Sequence, residues 1–282
     1  MHDLSLLDET LDINITKSYH ISIQASLNGF SYCLLDTVRN KYVALKHYAF
    51  NKEKNNLEDN LKKVLAEDEF LKLEYKSSKL IYISKKSTLI PVPLFSKDNL
   101  NDYLTFNHTV EEKEDIHFNK LKGADAYVVF AIPGFFSSVF NKSLPSLKIY
   151  HQSSPFIENI FWAGRDKKDQ DRVYLNISGG IFDIAVISGK KLSLYNCFSM
   201  QNENDLNYFV LYIFEQLKLD PEKTELVLAG EISKTMKHYE ILKKYIRHLS
   251  FEKTNNQFTY SYTFNEIPAH TFVNLLNLYT CE

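Results

Sequence analysis

Two stretches of the chain alternate apolar and polar residues with the period of two that marks β-strands. The clearer one is DRVYLNIS, GG, IFDIAVIS, GKK, LSLYNCF from Asp171 to Phe198. Val173, Leu175 and Ile177 fall on one face of the first segment, and Ile181, Asp183, Ala185 and Ile187 share a face of the second. Ser188, Gly189 and Lys190 form a short turn, so three antiparallel strands are predicted in succession. Next, Leu206, Phe209, Val210, Ile213 and Leu217 recur at helical spacing, with Asn202 or Asn204 as a cap and Pro221 beyond the end. A buried strand, TELVLAG at 224–230, and a helix near 233–248 complete a β-β-β-α-β-α order.

The N-terminal half shows the same order. YHISIQAS (19–26), FSYCLLD (30–36) and KYVALKHYAF (41–50) are three strands, followed by a helix near 55–68, a strand KLIYIS (79–84) and a helix near 97–106. A shift of 152 lays Ser26 on Ser178, Phe30 on Phe182, Ser31 on Asp183 and Leu35 on Ile187. A duplicated α/β unit is therefore expected. Residues 107–165 fall outside the repeat and include a strand, AYVVFAIP (126–133), a helix opening after Pro133-Gly134, and another helix around PFIENIFWAG. They lead to a charged crossover, RDKKDQD, between Arg165 and Asp171. Two domains are expected, 1–168 and 169–282, a division that suits a chain of 282 residues.

Composition narrows the function classes. With 33 Lys plus Arg against 35 Asp plus Glu, the formal net charge is −2, and no basic stripe marks a nucleic-acid partner. Cys33, Cys197 and Cys281 are an odd, widely spaced set, read as buried apolar residues in a reducing compartment. The opening MHDLSLLDETLDIN has no basic and apolar leader pattern, and no window approaches about 18 uninterrupted apolar residues. A cytoplasmic protein without a membrane span is expected. The nine histidines show no metal-site spacing, and neither a Gly-x-Ser-x-Gly elbow nor a Cys-x-x-Cys pair occurs.

Two short motifs carry a resemblance. LNISGGIFDIAVI (175–187) resembles the second phosphate motif of the actin-like ATPases, commonly LDIGGGTTDIAVI, and LVLAGEIS (226–233) resembles their adenosine motif LVLTGGGS. The likeness is nearest in style to the cell-division and pilus-assembly branch. The whole chain, including the closing IPAHTFVNLLNLY, resembles the DUF3822 family of Bacteroidetes, which brings a fold and no established activity. The resemblance implies an actin-like (ribonuclease H-like) fold, two βββαβα domains flanking a cleft, with the C-terminal helix packed at their interface. It places a nucleotide against Asn28 and Gly29 of the first hairpin, Ser178, Gly179, Gly180 and Asp183 of the second, and Gly230 and Glu231 of the adenosine motif.

The same resemblance exposes departures. An active member has an aspartate in the first hairpin, whereas SIQASLNGF has no acidic residue. In the second hairpin the leading aspartate is Asn176, the first loop glycine is Ser178, and the two threonine positions are Ile181 and Phe182. The second adenosine-motif glycine is Glu231. Phosphate cradling needs open backbone amides, and Mg²⁺ is usually held by carboxylates, water and phosphates. With the carboxylate gone and Phe182 planted near the loop, the expectation is a binding or scaffolding protein with a degenerate site, no catalytic residues, no metal and no cofactor. The opposing expectation is a divergent ATPase or small-molecule kinase, with ATP and Mg²⁺ in the cleft and Asp183 organising the metal.

Bland readings stand beside these. Gly179 and Gly180 also suit a plain hairpin turn, and Asp183 also suits a buried carboxylate hydrogen-bonded by a neighbouring loop. Glu231 and Lys234 lie where α/β sheets place ligands, and equally where a helix starts. The 233–248 segment has a basic face of Lys237, Lys243, Lys244 and Arg247, which suits solvent as well as an acidic partner. The expected partner is another protein, with a homo-oligomer also open.

Overall fold

The computed structural model describes residues 3–50, 56–140, 144, 146–164, 170–202 and 204–282. The chain opens with β1 (Leu4–Leu7) and then the predicted triple of β2 (Tyr19–Ser26), β3 (Gly29–Asp36) and β4 (Lys41–Ala49). Next come α1 (Leu57–Glu67) and β5 (Ser77–Tyr82). In α1 the Asn56 side chain accepts the Asp59 N–H, Glu58 and Asp59 occupy the first turn, and Leu57, Leu61, Val64 and Leu65 are buried. That stripe packs on Ile21, Ile23, Phe30 and Tyr32 of the sheet.

An insertion then forms a separate small sheet from β6 (Ser87–Pro91), β7 (Glu114–Leu121) and β8 (Ala126–Pro133), with α2 (Leu100–Thr105) lying between β6 and β7 in sequence. α3 (Phe135–Phe140) and β9 (Lys148–His151) return the chain to the first sheet, and α4 (Ser153–Ala163) leaves it. The second sheet is built from β10 (Arg172–Ser178), β11 (Ile181–Ser188), β12 (Lys191–Ser199), β13 (Glu225–Gly230) and β14 (His248–Phe251), with α5 (Asp205–Gln216) and α6 (Lys237–Tyr245) as its helices. β15 (Thr259–Tyr260) and α7 (Val273–Asn277) end the chain.

The duplication is visible in the strand order. The first sheet runs β4-β3-β2-β5-β9 and the second β12-β11-β10-β13-β14. The register agrees residue by residue: Ser26 pairs with Gly29, and 152 positions on Ser178 pairs with Ile181. A β-bulge falls between Leu34 and Leu35 in one hairpin and between Val186 and Ile187, the same shift, in the other. After the bulge, Asp36 pairs with Lys41 but Ser188 with Lys191, so the second hairpin turn is two residues shorter.

Three expectations are corrected. The helix near 97–106 is not the second helix of the first repeat: Leu104 of α2 packs with Val129 and Ala131 on the inserted sheet. α3 holds that position, packing against α1 as α6 packs against α5. The inserted elements therefore begin at β6, ahead of residue 107, and β9 inside the 107–165 segment is the closing strand of the first sheet. The helix expected over 233–248 spans only Lys237–Tyr245, because His248 and Leu249 already pair with β13 and Arg247 bonds back to Pro221 and Glu222. The charged crossover, with the expected domain boundary inside it, falls mostly outside the described residues.

Each sheet is covered on both faces. Val173, Leu175, Phe182 and Ile184 face α5, while Tyr174, Ala185 and Ile187 join the core that contains Phe156, Ile157 and Ile160 of α4. On the first sheet the equivalent face, Cys33, Leu35, Tyr42 and Leu45, is covered by Phe258, Phe272, Leu275 and Leu276 of the terminal segment. β15 pairs in parallel with β4, and α7 packs against α4, β2, β3 and β13. α4 and α7 thus form the middle layer between the two sheets. No helix of the described residues is long and apolar enough to cross a membrane.

Candidate functional site

The two equivalent hairpin tips meet. In the first, Leu27 and Asn28 form the turn, and the Ser26 hydroxyl accepts the N–H groups of Asn28 (3.2 Å) and Gly29 (3.1 Å). In the second, Gly179 and Gly180 have φ of 62° and 83°. Two consecutive positive φ values are what a two-residue hairpin turn matched to strand twist requires, and glycine adopts them without a Cβ penalty. A Cβ built on Gly179 would lie 3.3 Å from Ser26 Cβ, and one on Gly180 3.7 Å from Asn28 Nδ2. The tips are therefore at van der Waals distance from one another.

β13 ends beside them. Gly230 has φ of 81°, and any Cβ there would overlap the Ile177 carbonyl. Its N–H donates to the His270 carbonyl (2.9 Å), and Glu231 N–H donates to Ile177 O (2.8 Å). The Glu231 carboxylate turns back to accept the Gly179 N–H at 3.2 Å. His270 Nε2 donates to the Ile232 carbonyl (2.7 Å), which fixes its tautomer, and burial lowers the imidazole pKa so that the ring stays neutral. The terminal segment is thereby fastened to the strand end that carries the adenosine-like motif.

Tips, strand end and terminal segment enclose a cavity of about 250 Å³. Of the residues expected at a nucleotide, Asn28, Gly29, Ser178, Gly230 and Glu231 line it. Gly179 and Gly180 form the adjoining turn. Asp183 does not line it: the residue is fully buried and accepts hydrogen bonds from Tyr195 (2.7 Å), Asn176 (3.3 Å) and Gln152 (3.3 Å). Burial raises its pKa above the ordinary aspartate value, opposed by those three donors. Gln152 also spans to the Ser84 backbone with both ends of its amide, so the Asp183 cluster ties the second sheet to the first. Phe182 does not crowd the loop. It points to the opposite face and packs with Phe198 and Phe209.

Several lining residues were not singled out from the sequence: Gln24, Ser31, His47, Gln152 and Asn274. Gln24 had a signal, since it pairs with Ser31 as Asn176 pairs with Asp183, at the same shift of 152. The two pseudo-equivalent positions are both carboxamides. Ser31 Oγ lies 2.8 Å from His47 Nδ1, and burial lowers the His47 pKa. Among the described residues, Glu231 supplies the carboxylate of the lining, no lysine or arginine contributes, and no group of three His, Cys, Asp or Glu is placed to hold a metal ion. Chemically, the cavity is a set of neutral hydrogen-bonding groups around one carboxylate.

Comparison with known proteins fits this architecture. A family model described as a protein of unknown function, DUF3822, matches residues 8–249. A Bacteroides thetaiotaomicron protein with an actin-like ATPase fold and unknown function is similar over 97% of this chain and 100% of its own, at 27% identity and a TM-score of 0.84. The PilM-PilN type IV pilus biogenesis complex matches over 92% of this chain and 97% of its own, at 11% identity and a TM-score of 0.58. EutJ, an ethanolamine utilization protein from Carboxydothermus hydrogenoformans, matches over 98% and 93% at 11% identity and a TM-score of 0.49. No curated protein matches. The chain has the two-lobed actin-like fold, and because the family model covers most of its length, it belongs to the DUF3822 family.

Proposed function

We propose that this protein is a non-catalytic actin-like binding or scaffolding protein whose inter-lobe site has lost the capacity for ATP and Mg²⁺. One observation carries the reading: the Glu231 carboxylate occupies the Gly179 amide that a phosphate would need. A carboxylate at that point both uses the donor and repels an anion. The surroundings agree with it. Asn176 is an amide where the family resemblance calls for a carboxylate, and Gln24, its equivalent in the first hairpin by register, is an amide too, so the site does not suit a magnesium ion held by acids and phosphates. The tips also stand too close for a phosphate to enter without the lobes parting. Phosphoryl transfer rests on positioning and charge neutralisation, and this cleft offers neither to a triphosphate.

The partner in this reading is another protein, met in the cytoplasm. The PilM-PilN complex is an actin-like fold in a protein–protein assembly, and that precedent supports a partner of the same kind. The test of the site is calorimetric titration and thermal melting with ATP plus Mg²⁺. A ligand present at 100 times its Kd stabilises the native state by about 2.7 kcal/mol, so binding of any consequence moves the melting temperature. The expected result is no heat and no shift. Saturable binding, followed by turnover, would establish the ATPase or kinase alternative instead.

A further inference from the structure

Three residues of the lining carry a buried side-chain atom that has no hydrogen-bond partner among the described residues: His47 Nε2, Asn28 Oδ1 and Asn274 Oδ1. They come from β4, the β2–β3 turn and, more than two hundred residues later, α7, and all three residues line the same space. His47 is 8% exposed and Asn274 6%. Leaving such a group unpaired costs about 1–3 kcal/mol, so three of them on one lining call for an occupant that hydrogen-bonds them.

Their chemistry restricts the occupant. Two carboxamide oxygens accept, so the ligand donates to them. The Ser31 hydroxyl engages His47 Nδ1, and the lowered pKa keeps the ring neutral, leaving Nε2 one hydrogen bond to give or take. Hydroxyl groups serve both roles; a phosphate serves neither amide oxygen and meets the Glu231 carboxylate. Phe50 and Phe272 add apolar faces to the lining. Size restricts it further: at ~30 Å³ per water, about 250 Å³ is roughly eight waters, below the ~300–1,000 Å³ of drug-sized sites.

We propose that the cleft binds a small neutral polyhydroxylated molecule of about monosaccharide size, whose hydroxyls donate to Asn28 and Asn274 and bond His47 Nε2. The inference rests on the reading of the cleft as no longer a nucleotide site and adds the ligand class. It is tested on the full chain by calorimetry and thermal melting with D-glucose, D-ribose and myo-inositol at roughly 50 mM, far above a ~1 mM Kd, beside ATP–Mg²⁺. The expected result is saturable stabilisation by at least one polyol, weakened at least tenfold in both His47→Leu and Asn274→Leu and less in His47→Gln, which keeps a polar atom. Circular dichroism and the unliganded melting temperature confirm that each variant is folded. Absence of a shift with all three polyols overturns the proposal, as does binding that neither leucine variant weakens. Polyol binding together with ATP–Mg²⁺ binding supports the ligand class while overturning the loss of the nucleotide site, so the two failures are separable.

Discussion

Removing the Glu231 side chain is the most direct way to ask whether that residue stands where an anion would. Glu231→Ala frees the Gly179 N–H, whose acceptor is 3.2 Å away, and deletes a negative charge from the cleft. A hydrogen bond to a charged group contributes about 1.5–3 kcal/mol, and partial exposure of Glu231 brings the expected loss nearer ~1 kcal/mol. For a chain of this size that lowers the melting temperature by about 2–4 °C. The electrostatic gain for an incoming phosphate is larger. Two unit charges about 4 Å apart repel by about 4 kcal/mol at an effective dielectric constant of 20, roughly a thousandfold in affinity.

Part of that gain goes into separating Ser26 from Gly179, which a phosphate must push between. The expected outcome is a variant slightly less stable than the parent that regains several degrees on adding phosphate or pyrophosphate, whereas the parent is unmoved. Glu231→Gln is the control, since its amide oxygen can go on accepting the Gly179 N–H. It should gain far less than the alanine variant. If Glu231→Ala folds, melts lower and still ignores every phosphate, the carboxylate is not what closes the site, and the argument from it collapses.

Other expectations follow from the same geometry. Gly230→Ala, which drives a Cβ into the Ile177 carbonyl at positive φ, should cost more than about 3 kcal/mol in denaturant unfolding, whereas Gly180→Ala, with its nearest neighbour 3.7 Å away, should cost only about 1–2 kcal/mol; equal costs would refute the steric account. Asp183→Asn turns an amide N–H₂ toward groups that already donate, so it should destabilise by about 1–3 kcal/mol despite being isosteric, and a neutral result by chemical denaturation would show that the carboxylate is not needed as an acceptor. Burial lowers the pKa of His20 to about 3 and of His151 to about 4, so the unfolded chain takes up protons below pH 6.5 that the native state refuses, and stability falls with falling pH. Between pH 7.5 and pH 5 the two rings together should remove about 4 kcal/mol of unfolding free energy, and a flat profile down to pH 5 in urea titrations would contradict their burial as neutral groups.

The hairpins were legible because their information is local. Alternation gave β2, β8 and β11 with the bounds the structure shows, and the shift of 152 matches the register down to the bulge. The fifth strands were not legible. β9 and β14 are four residues each, and nothing in KIYH or HLSF distinguishes them from loop until they lie beside β5 and β13. The pairing of β15 with β4 joins residues more than two hundred positions apart, and the apolar face of α2 does not say which sheet it covers. In the cleft, the motif glycines were readable and their partners were not. His47 and Asn274 look like ordinary polar residues of a strand and a short helix, and only the fold turns both toward one cavity.

That difference bears on how much a glycine motif says about nucleotide binding. Gly179, Gly180 and Gly230 each have positive φ, and at Gly230 the Ile177 carbonyl also excludes a Cβ. These demands come from the hairpin turn and from the packing of β13 on β10, and they persist whether or not a phosphate is present. The likeness of SGG and AGE to phosphate and adenosine motifs is therefore one that the backbone requires with or without a nucleotide. Side chains respond to the ligand instead, and there the two halves agree with each other: Gln24 and Asn176 occupy equivalent registers as amides, Ser26 and Ser178 as hydroxyls. The halves part at the next pair, where Ser31 bonds His47 at the cavity while Asp183 is sealed among Tyr195, Asn176 and Gln152. Asp183 is part of the joint between the lobes, and the Ser31 hydroxyl in the equivalent place bonds an imidazole that lines the space between them.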